Sequence, residues 1–120
     1  MIKYIEHIGL QTAELERALA FYCGVLGFER QERMVRDGHP GPQFVNLPNG
    51  QSIEFFEGEA KPADASPYRH LCLIIEDMQA VVDTLARHNV AIDRGPVEMG
   101  TRKMMWMSDP DGNTIEFKQL

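Results

Sequence analysis

The sequence predicts an α+β fold made of two tandem β-α-β-β-β modules that form a cupped mixed sheet with helices on the outside. Three observations predict it. Two histidines each open a short apolar stretch, two helix-like patterns follow them at the same offset, and two Asn-Gly or Asp-Gly turns each lead into a strand carrying one glutamate. Features that recur at matched spacing are the mark of a repeated structural unit.

The first strand begins at His7 and runs through Ile8, Gly9 and Leu10. Seven positions after His7, Glu14 starts a pattern with Leu15, Leu19 and Tyr22 on one face, the spacing of an amphipathic helix. Gly24 or Gly27 is the expected stop, because glycine takes the left-handed conformation at a helix end. Pro48-Asn49-Gly50 then reads as a hairpin turn whose returning strand, Gln51 to Phe55, carries Glu54. From Glu57 to Tyr68 the chain holds Gly58, Pro62 and Pro67 among small and charged residues, and reads as a linker.

The second half repeats the order. His70 opens Leu71 to Ile75, and Asp77, again seven positions on, starts a helix with Met78, Val81, Val82 and Leu85 on one face and Asn89 near its end. Met104-Met105-Trp106-Met107 forms a soft, bulky strand, and Pro110-Asp111-Gly112 turns into Asn113 to Phe117, which carries Glu116. His7 precedes Glu54 by 47 positions and His70 precedes Glu116 by 46. The organisation read from this is a single domain over 1–120, with module one at about 1–57, a linker at about 58–67 and module two at about 68–120.

Composition narrows the function classes. With 43% hydrophobic and 25% charged residues, 120 residues suffice for one globular core without staples. A formal net charge of −6 and a pI near 5.1 argue against nucleic acid, which needs a clustered positive surface. The start, MIKYIEHIGL, lacks a basic segment followed by an apolar run and a cleavage site, and no window reaches membrane-span length, so no membrane partner and a cytoplasmic location are expected. Cys23 and Cys72, too few for a disulfide scaffold, are expected as buried reduced thiols inside apolar patterns.

Alternation decides which way the polar residues face. Ile8 and Leu10 oppose His7, Ile53 and Phe55 oppose Glu54, Leu71 and Leu73 oppose His70, and Ile115 and Phe117 oppose Glu116. The apolar residues can therefore pack under the helices while His7, Glu54, His70 and Glu116 face the other side. If the two sheets curve toward each other, two imidazoles and two carboxylates converge on one divalent metal, Ni(II), Co(II), Zn(II) or Mn(II), with room left for water or substrate. Met104 and Trp106 share one side of their strand and form a candidate pocket lining. Arg102 and Lys103 lie close by in sequence, as candidates for an anionic group. His39, in a loop-like Gly-Pro-rich stretch, and His88, near a helix end, have no repeat counterpart and stay outside the site.

Taken together, His7-Ile8-Gly9-Leu10, Ala20-Phe21-Tyr22 with Leu26-Gly27-Phe28, His70, and Asp109-Pro110-Asp111-Gly112-Asn113 with Ile115-Glu116 resemble the vicinal oxygen chelate superfamily over essentially the whole chain. That superfamily includes glyoxalase I, bleomycin-resistance proteins, extradiol dioxygenases, fosfomycin-resistance enzymes and methylmalonyl-CoA epimerase. The His, Glu, His, Glu order is most similar to glyoxalase I. The resemblance implies a metal-dependent lyase that isomerises a 2-oxoaldehyde hemithioacetal, or a similar small carbonyl substrate, through an enediolate. It also implies Glu116 as the base, with Glu54 able to share that role, and a homodimer acting on a small molecule. Gln11, Arg102, Met104 and Trp106 are the candidate substrate contacts. Bacterial relatives that use glutathione carry Arg four places after the first His, Asn four places after the first Glu and Lys in the Gly-Pro-Val segment. This chain has Gln11, Gly58 and Glu98 there, which points away from glutathione. Among the alternatives, epimerases place Gln where Glu54 stands, dioxygenases use two His and one Glu on a longer chain, and non-enzymatic antibiotic binders lose the ligands.

Overall fold

A computed structural model describes residues 1–59 and 69–120 of the chain. The expected linker at about 58–67 therefore falls mostly outside the described residues. The chain divides into two compact units, Met1–Ala60 and Lys61–Leu120.

In the first unit, β1 (His7–Thr12) leads into α1 (Leu15–Leu19), which continues as a π-helix (Ala20–Val25), followed by β2 (Glu29–Arg30), a small hairpin of β3 (Val35–Arg36) and β4 (His39–Pro40), then β5 (Gln43–Asn46) and β6 (Ser52–Glu57). The strands order as β1-β6-β5-β2, with β1 parallel to β6 and the others antiparallel. In the second unit, β7 (His70–Ile74), α2 (Met78–Arg87), β8 (Arg94–Met99), β9 (Arg102–Ser108) and β10 (Thr114–Gln119) order as β7-β10-β9-β8, with β7 parallel to β10. An α+β fold with a mixed four-stranded sheet in each unit is thus observed. Its β1 and β7 come from the histidine stretches, and its β6 and β10 from the glutamate stretches.

Local chemistry explains the boundaries. Asp77 accepts hydrogen bonds at Oδ1 from Gln79 N and Ala80 N, 2.9 and 3.4 Å, capping two orphan donors of α2. Such a cap contributes about 1 kcal/mol. Asn89 follows the helix at φ 55°, as a left-handed terminator does. Glu14 stands at the corresponding place before α1 but caps nothing with its side chain, and instead pairs with Arg17 at 3.2 Å. The α-helix expected from Glu14 to Gly24 or Gly27 widens into a π-helix after Leu19, where Leu26 N reaches Phe21 O at 3.0 Å. This wider coil seats Phe21 and Tyr22 side by side in the core, rings 5.0 Å apart.

Both hairpins are closed by side chains at the turn. Asn49 Oδ1 accepts from Gln51 N at 3.1 Å, and Asp109 Oδ1 accepts from Asp111 N and Asn113 N at 2.9 and 2.8 Å. Gly50 and Gly112, at φ 86° and 83°, supply the conformation that other residues resist. One face of each sheet is the core: Val45, Ile53 and Phe55 with Leu15, Leu19 and Tyr22 in the first unit, and Met105, Met107, Ile115 and Phe117 with Met78 and Leu85 in the second. These are the faces expected to lie under the helices.

Two expectations need correction. His39 is not in an open loop but in β4, paired with Arg36 across the turn at Asp37 and Gly38, both at positive φ. The cysteines are not buried: Cys23 is half-buried and Cys72 exposed. Cys72 belongs to β7 at an even offset from His70, so it lies on the face away from the core.

Candidate metal centre

Parallel pairing places the two glutamates identically. On β6, Ser52 stands opposite His7 and Glu54 lies two residues further. On β10, Thr114 stands opposite His70 and Glu116 lies two residues further. A shift of two keeps a side chain on the same face of a sheet, so each glutamate reaches diagonally to its histidine. The result is the same pair twice, His7 Nε2 to Glu54 Oε2 at 3.0 Å and His70 Nε2 to Glu116 Oε2 at 3.1 Å. The carboxylate side chains are shielded, 15% and 10% exposed, while the imidazoles are open, 41% and 36%. A ligand approaching from solvent therefore meets the ring nitrogens first and a poorly hydrated carboxylate behind them.

Each glutamate also has an aromatic neighbour on its antiparallel side. Phe44 is opposite Glu54 and packs edge-on to the His7 ring at 5.6 Å between centroids. Trp106 is opposite Glu116, and the Arg94 guanidinium lies 4.9 Å over its ring. Phe44 escaped the reading of the sequence: counting back equally from the Asn49-Gly50 turn brings Val45 opposite Glu54, and the observed ladder is offset from that by one residue.

Glu6 is a second residue not foreseen. Its carboxylate accepts from His7 Nδ1, and this hydrogen bond is the main cause holding the His7 pKa above its ordinary value, with the charges of Glu6 and Glu54 adding to it against the desolvation of the ring. A carboxylate on one ring nitrogen fixes the tautomer and leaves the other nitrogen to face a metal, the usual arrangement behind a histidine ligand. Glu6→Gln is therefore expected to weaken divalent-metal binding 10- to 100-fold, as outer carboxylates typically do. Titration calorimetry of wild type and variant checks this, and equal affinities would remove Glu6 from the role. Partial desolvation is the main cause pushing the Cys72 thiol up, and Glu116 adds to it through its charge and a hydrogen bond.

The other expected contacts are dispersed. Gln11 lies on β1 four residues from His7, on the same face, and its amide occupies the space beside Gly58, where a Cβ would run into Nε2. Two of the three departures from the glutathione-type pattern are thus one packing feature: Gly58 accommodates Gln11. Met104 is buried, and both it and Trp106 share the Glu116 face, while Met105 and Met107 fill the core. Arg102 pairs with Met99 at the tip of the β8–β9 hairpin, four residues along β9 from Trp106, or roughly 13 Å.

The donor set suits a divalent ion. In each pair an imidazole nitrogen and a carboxylate oxygen point at one another across the distance of one shared proton, where a cation can replace that proton. Nitrogen with carboxylate oxygen matches zinc, nickel, cobalt or manganese. Among the described residues no three His, Cys, Asp or Glu side chains form a single group able to hold a metal. The four expected ligands thus stand as two pairs, one in each unit.

Comparison with known proteins bears on these pairs. Residues 4–117 match the family model described as Glyoxalase/Bleomycin resistance protein/Dioxygenase superfamily. The chain is similar to the uncharacterized protein YaeR of Escherichia coli, 32% identical over 96% of this chain and 95% of that one. It is also similar to a lactoylglutathione lyase of Haemophilus influenzae, 29% identical over 94% of this chain and 90% of the relative. Among solved structures, TnmS3, an antibiotic binding protein from Streptomyces sp. CB03234, superposes with a TM-score of 0.80 at 24% identity, covering 98% and 96% of the two chains, a likeness of fold.

Proposed function

The chain belongs to the glyoxalase/bleomycin resistance protein/dioxygenase superfamily, and from that premise we propose that it is a metal-dependent lyase of the glyoxalase I type. Its substrate would be the hemithioacetal of a 2-oxoaldehyde or a similar small carbonyl compound. The observation that carries this reading is the repeated His–Glu pair at the same register in both units. His7, Glu54, His70 and Glu116 would hold one divalent ion, and both carboxylates are retained where the epimerase and binder patterns lose one or more ligands. A relative at 29% identity is a lactoylglutathione lyase, which supports the reaction class.

When bound, the ion would supply Lewis-acid polarisation of two adjacent substrate oxygens. The chain's own residues do the rest. Glu116, shielded from water and set beside His70, accepts the carbon-bound proton and returns it to the neighbouring carbon, and Glu54 is the partner able to share that transfer. Phe44 packs against the His7 ring and Trp106 stands opposite Glu116, giving each pair an aromatic neighbour. With Gln11 filling the space at Gly58, a thiol other than glutathione is the better fit.

The four ligands are proposed to meet through pairing of modules in a homodimer. Both β1 and β7 are edge strands, and exposed Ile2, Tyr4 and Ile5 precede β1, the kind of apolar edge that another module covers. Screening methylglyoxal with several thiols on Ni(II)-, Co(II)-, Zn(II)- and Mn(II)-loaded protein tests the function. Turnover of at least one adduct is expected, on a particle of dimer mass by light scattering. Inactivity with every metal and thiol would defeat the lyase reading, and a monomer that still binds metal would defeat the dimer.

A further inference from the structure

The second unit carries a cation that the reaction described above does not use. Arg94, on β8, is the register partner of Trp106, and Trp106 is in turn the register partner of Glu116. Directly paired residues in antiparallel strands share a face, so Arg94, Trp106 and Glu116 form a row across three strands. Two strand spacings, about 10 Å, separate the ends of that row.

The local backbone is built to put Arg94 there. Counting from the Gly100-Thr101 turn, Val97 pairs with Met104, and an unbroken ladder would bring Gly95 opposite Trp106. A bulge between Arg94 and Val97 shifts the register by one and brings Arg94 there instead. Gly95, at φ 92°, makes the shift feasible, since a Cβ there would stand 2.8 Å from Met104 O. The neighbouring carboxylate, Asp93, is engaged by Ser108 Oγ at 2.7 Å. Among the described residues the structure gives Arg94 no carboxylate partner, only the indole at 4.9 Å. Stacking uses the face of a guanidinium and leaves its edge, a planar fork of N–H donors matched to a carboxylate. Lys118, two residues along β10 from Glu116 and on the same face, adds a second positive charge.

We propose that Arg94, laid on Trp106, is an anion-binding residue of the site, and that the substrate carries a carboxylate a few atoms away from its pair of adjacent oxygens. This rests on the lyase reading for the position of those oxygens, and it narrows the substrate class to acids. An uncharged adduct would leave the fork unused.

Trp106 is the only tryptophan of the chain, so its fluorescence reports on the guanidinium above it. The probes are 2-oxoglutarate, which presents two adjacent oxygens and a distal carboxylate, and its 5-methyl ester, which lacks the distal charge. Both are titrated into Zn(II)-loaded and chelator-treated protein, for wild type, Arg94→Gln and Arg94→Lys. Arg94 is exposed, so the variants should melt with wild type. The acid is expected to change Trp106 emission and to bind wild type at least tenfold more tightly than the ester does. Arg94→Gln should erase that preference and Arg94→Lys keep part of it. Equal binding of acid and ester by wild type, an undiminished preference in Arg94→Gln, or no emission change in wild type with either probe would each overturn the proposal. The lyase reading fails separately: a protein that binds no metal yet keeps an Arg94-dependent preference for the acid loses the metal and retains the anion site.

Discussion

Wild-type protein purified without chelators is expected to carry close to one divalent metal per chain, and His7→Ala or His70→Ala to remove most of it. The geometry explains why the loss should be large. In each pair the histidine is the nitrogen donor and the more open member, and the glutamate behind it is only 15% or 10% exposed. Removing either ring takes one donor from the proposed four-donor set and leaves a carboxylate facing the vacated space alone. Loss of a direct ligand should exceed the 10- to 100-fold effect of an outer partner such as Glu6. Both imidazoles are partly exposed, so truncating them creates little cavity, and the thermal midpoint of metal-free protein should move little. Metal content and calorimetric titration with Ni(II), Co(II), Zn(II) and Mn(II), read beside melting curves, separate a ligand from a packing residue. A wild-type protein that takes up none of the four ions would sink the metal reading. A His70→Ala variant that loads normally would sink the ligand assignment.

How far the chain could be read before its structure depends on whether a feature is local. Helix starts at Glu14 and Asp77, the terminator at Asn89 and the turns at Gly50 and Gly112 are each set by a few adjacent residues, and they stand where the pattern puts them. The two glutamates then follow, because a tight turn dictates which residues return beside which. Their antiparallel partners do not follow by that count: equal counting from Asn49-Gly50 and Asp111-Gly112 gives Val45 and Met107, whereas the ladders bring Phe44 and Trp106 there. Nor was Arg94 legible. Its place depends on one extra residue at the Gly95 bulge, and a single slip of register changes the face of everything beyond it. Cys72 shows a second limit. Inside the apolar run of Leu71 to Ile75 a cysteine is expected to be buried, yet β7 is an edge strand with one face on the core, so Leu73 is buried and Cys72 is exposed. The π-helix after Leu19 is a third, since an apolar run does not say which carbonyl each N–H selects, and the wider coil brings Phe21 into the core beside Tyr22.

Glu116→Gln is expected to retain part of the metal and lose nearly all proton transfer, and this variant separates an enzyme from a binder. An amide oxygen still coordinates a cation, though more weakly than a carboxylate, so the ligand set survives in outline. An amide is no base near neutral pH, so a step that needs Glu116 to accept a carbon-bound proton fails. Removal of a general base typically costs on the order of 10² to 10⁴ in rate. The site favours this residue for the role over its counterpart: Glu116 is the more shielded of the two, paired with His70 and opposite Trp106 in the ladder. The same shielding calls for a control on the fold, so Glu116→Asp is measured beside it. The shorter carboxylate keeps the charge but draws back from the reacting carbon, and should retain more activity than the amide. The readout is solvent-deuterium entry at the carbon of a 2-oxoaldehyde hemithioacetal, followed by proton NMR with metal content matched between samples. Rapid exchange in wild type, slow exchange in Glu116→Asp and almost none in Glu116→Gln is the expected order. Equal exchange in all three would make Glu116 a ligand only and shift the base to Glu54, whose Gln variant should then show the loss.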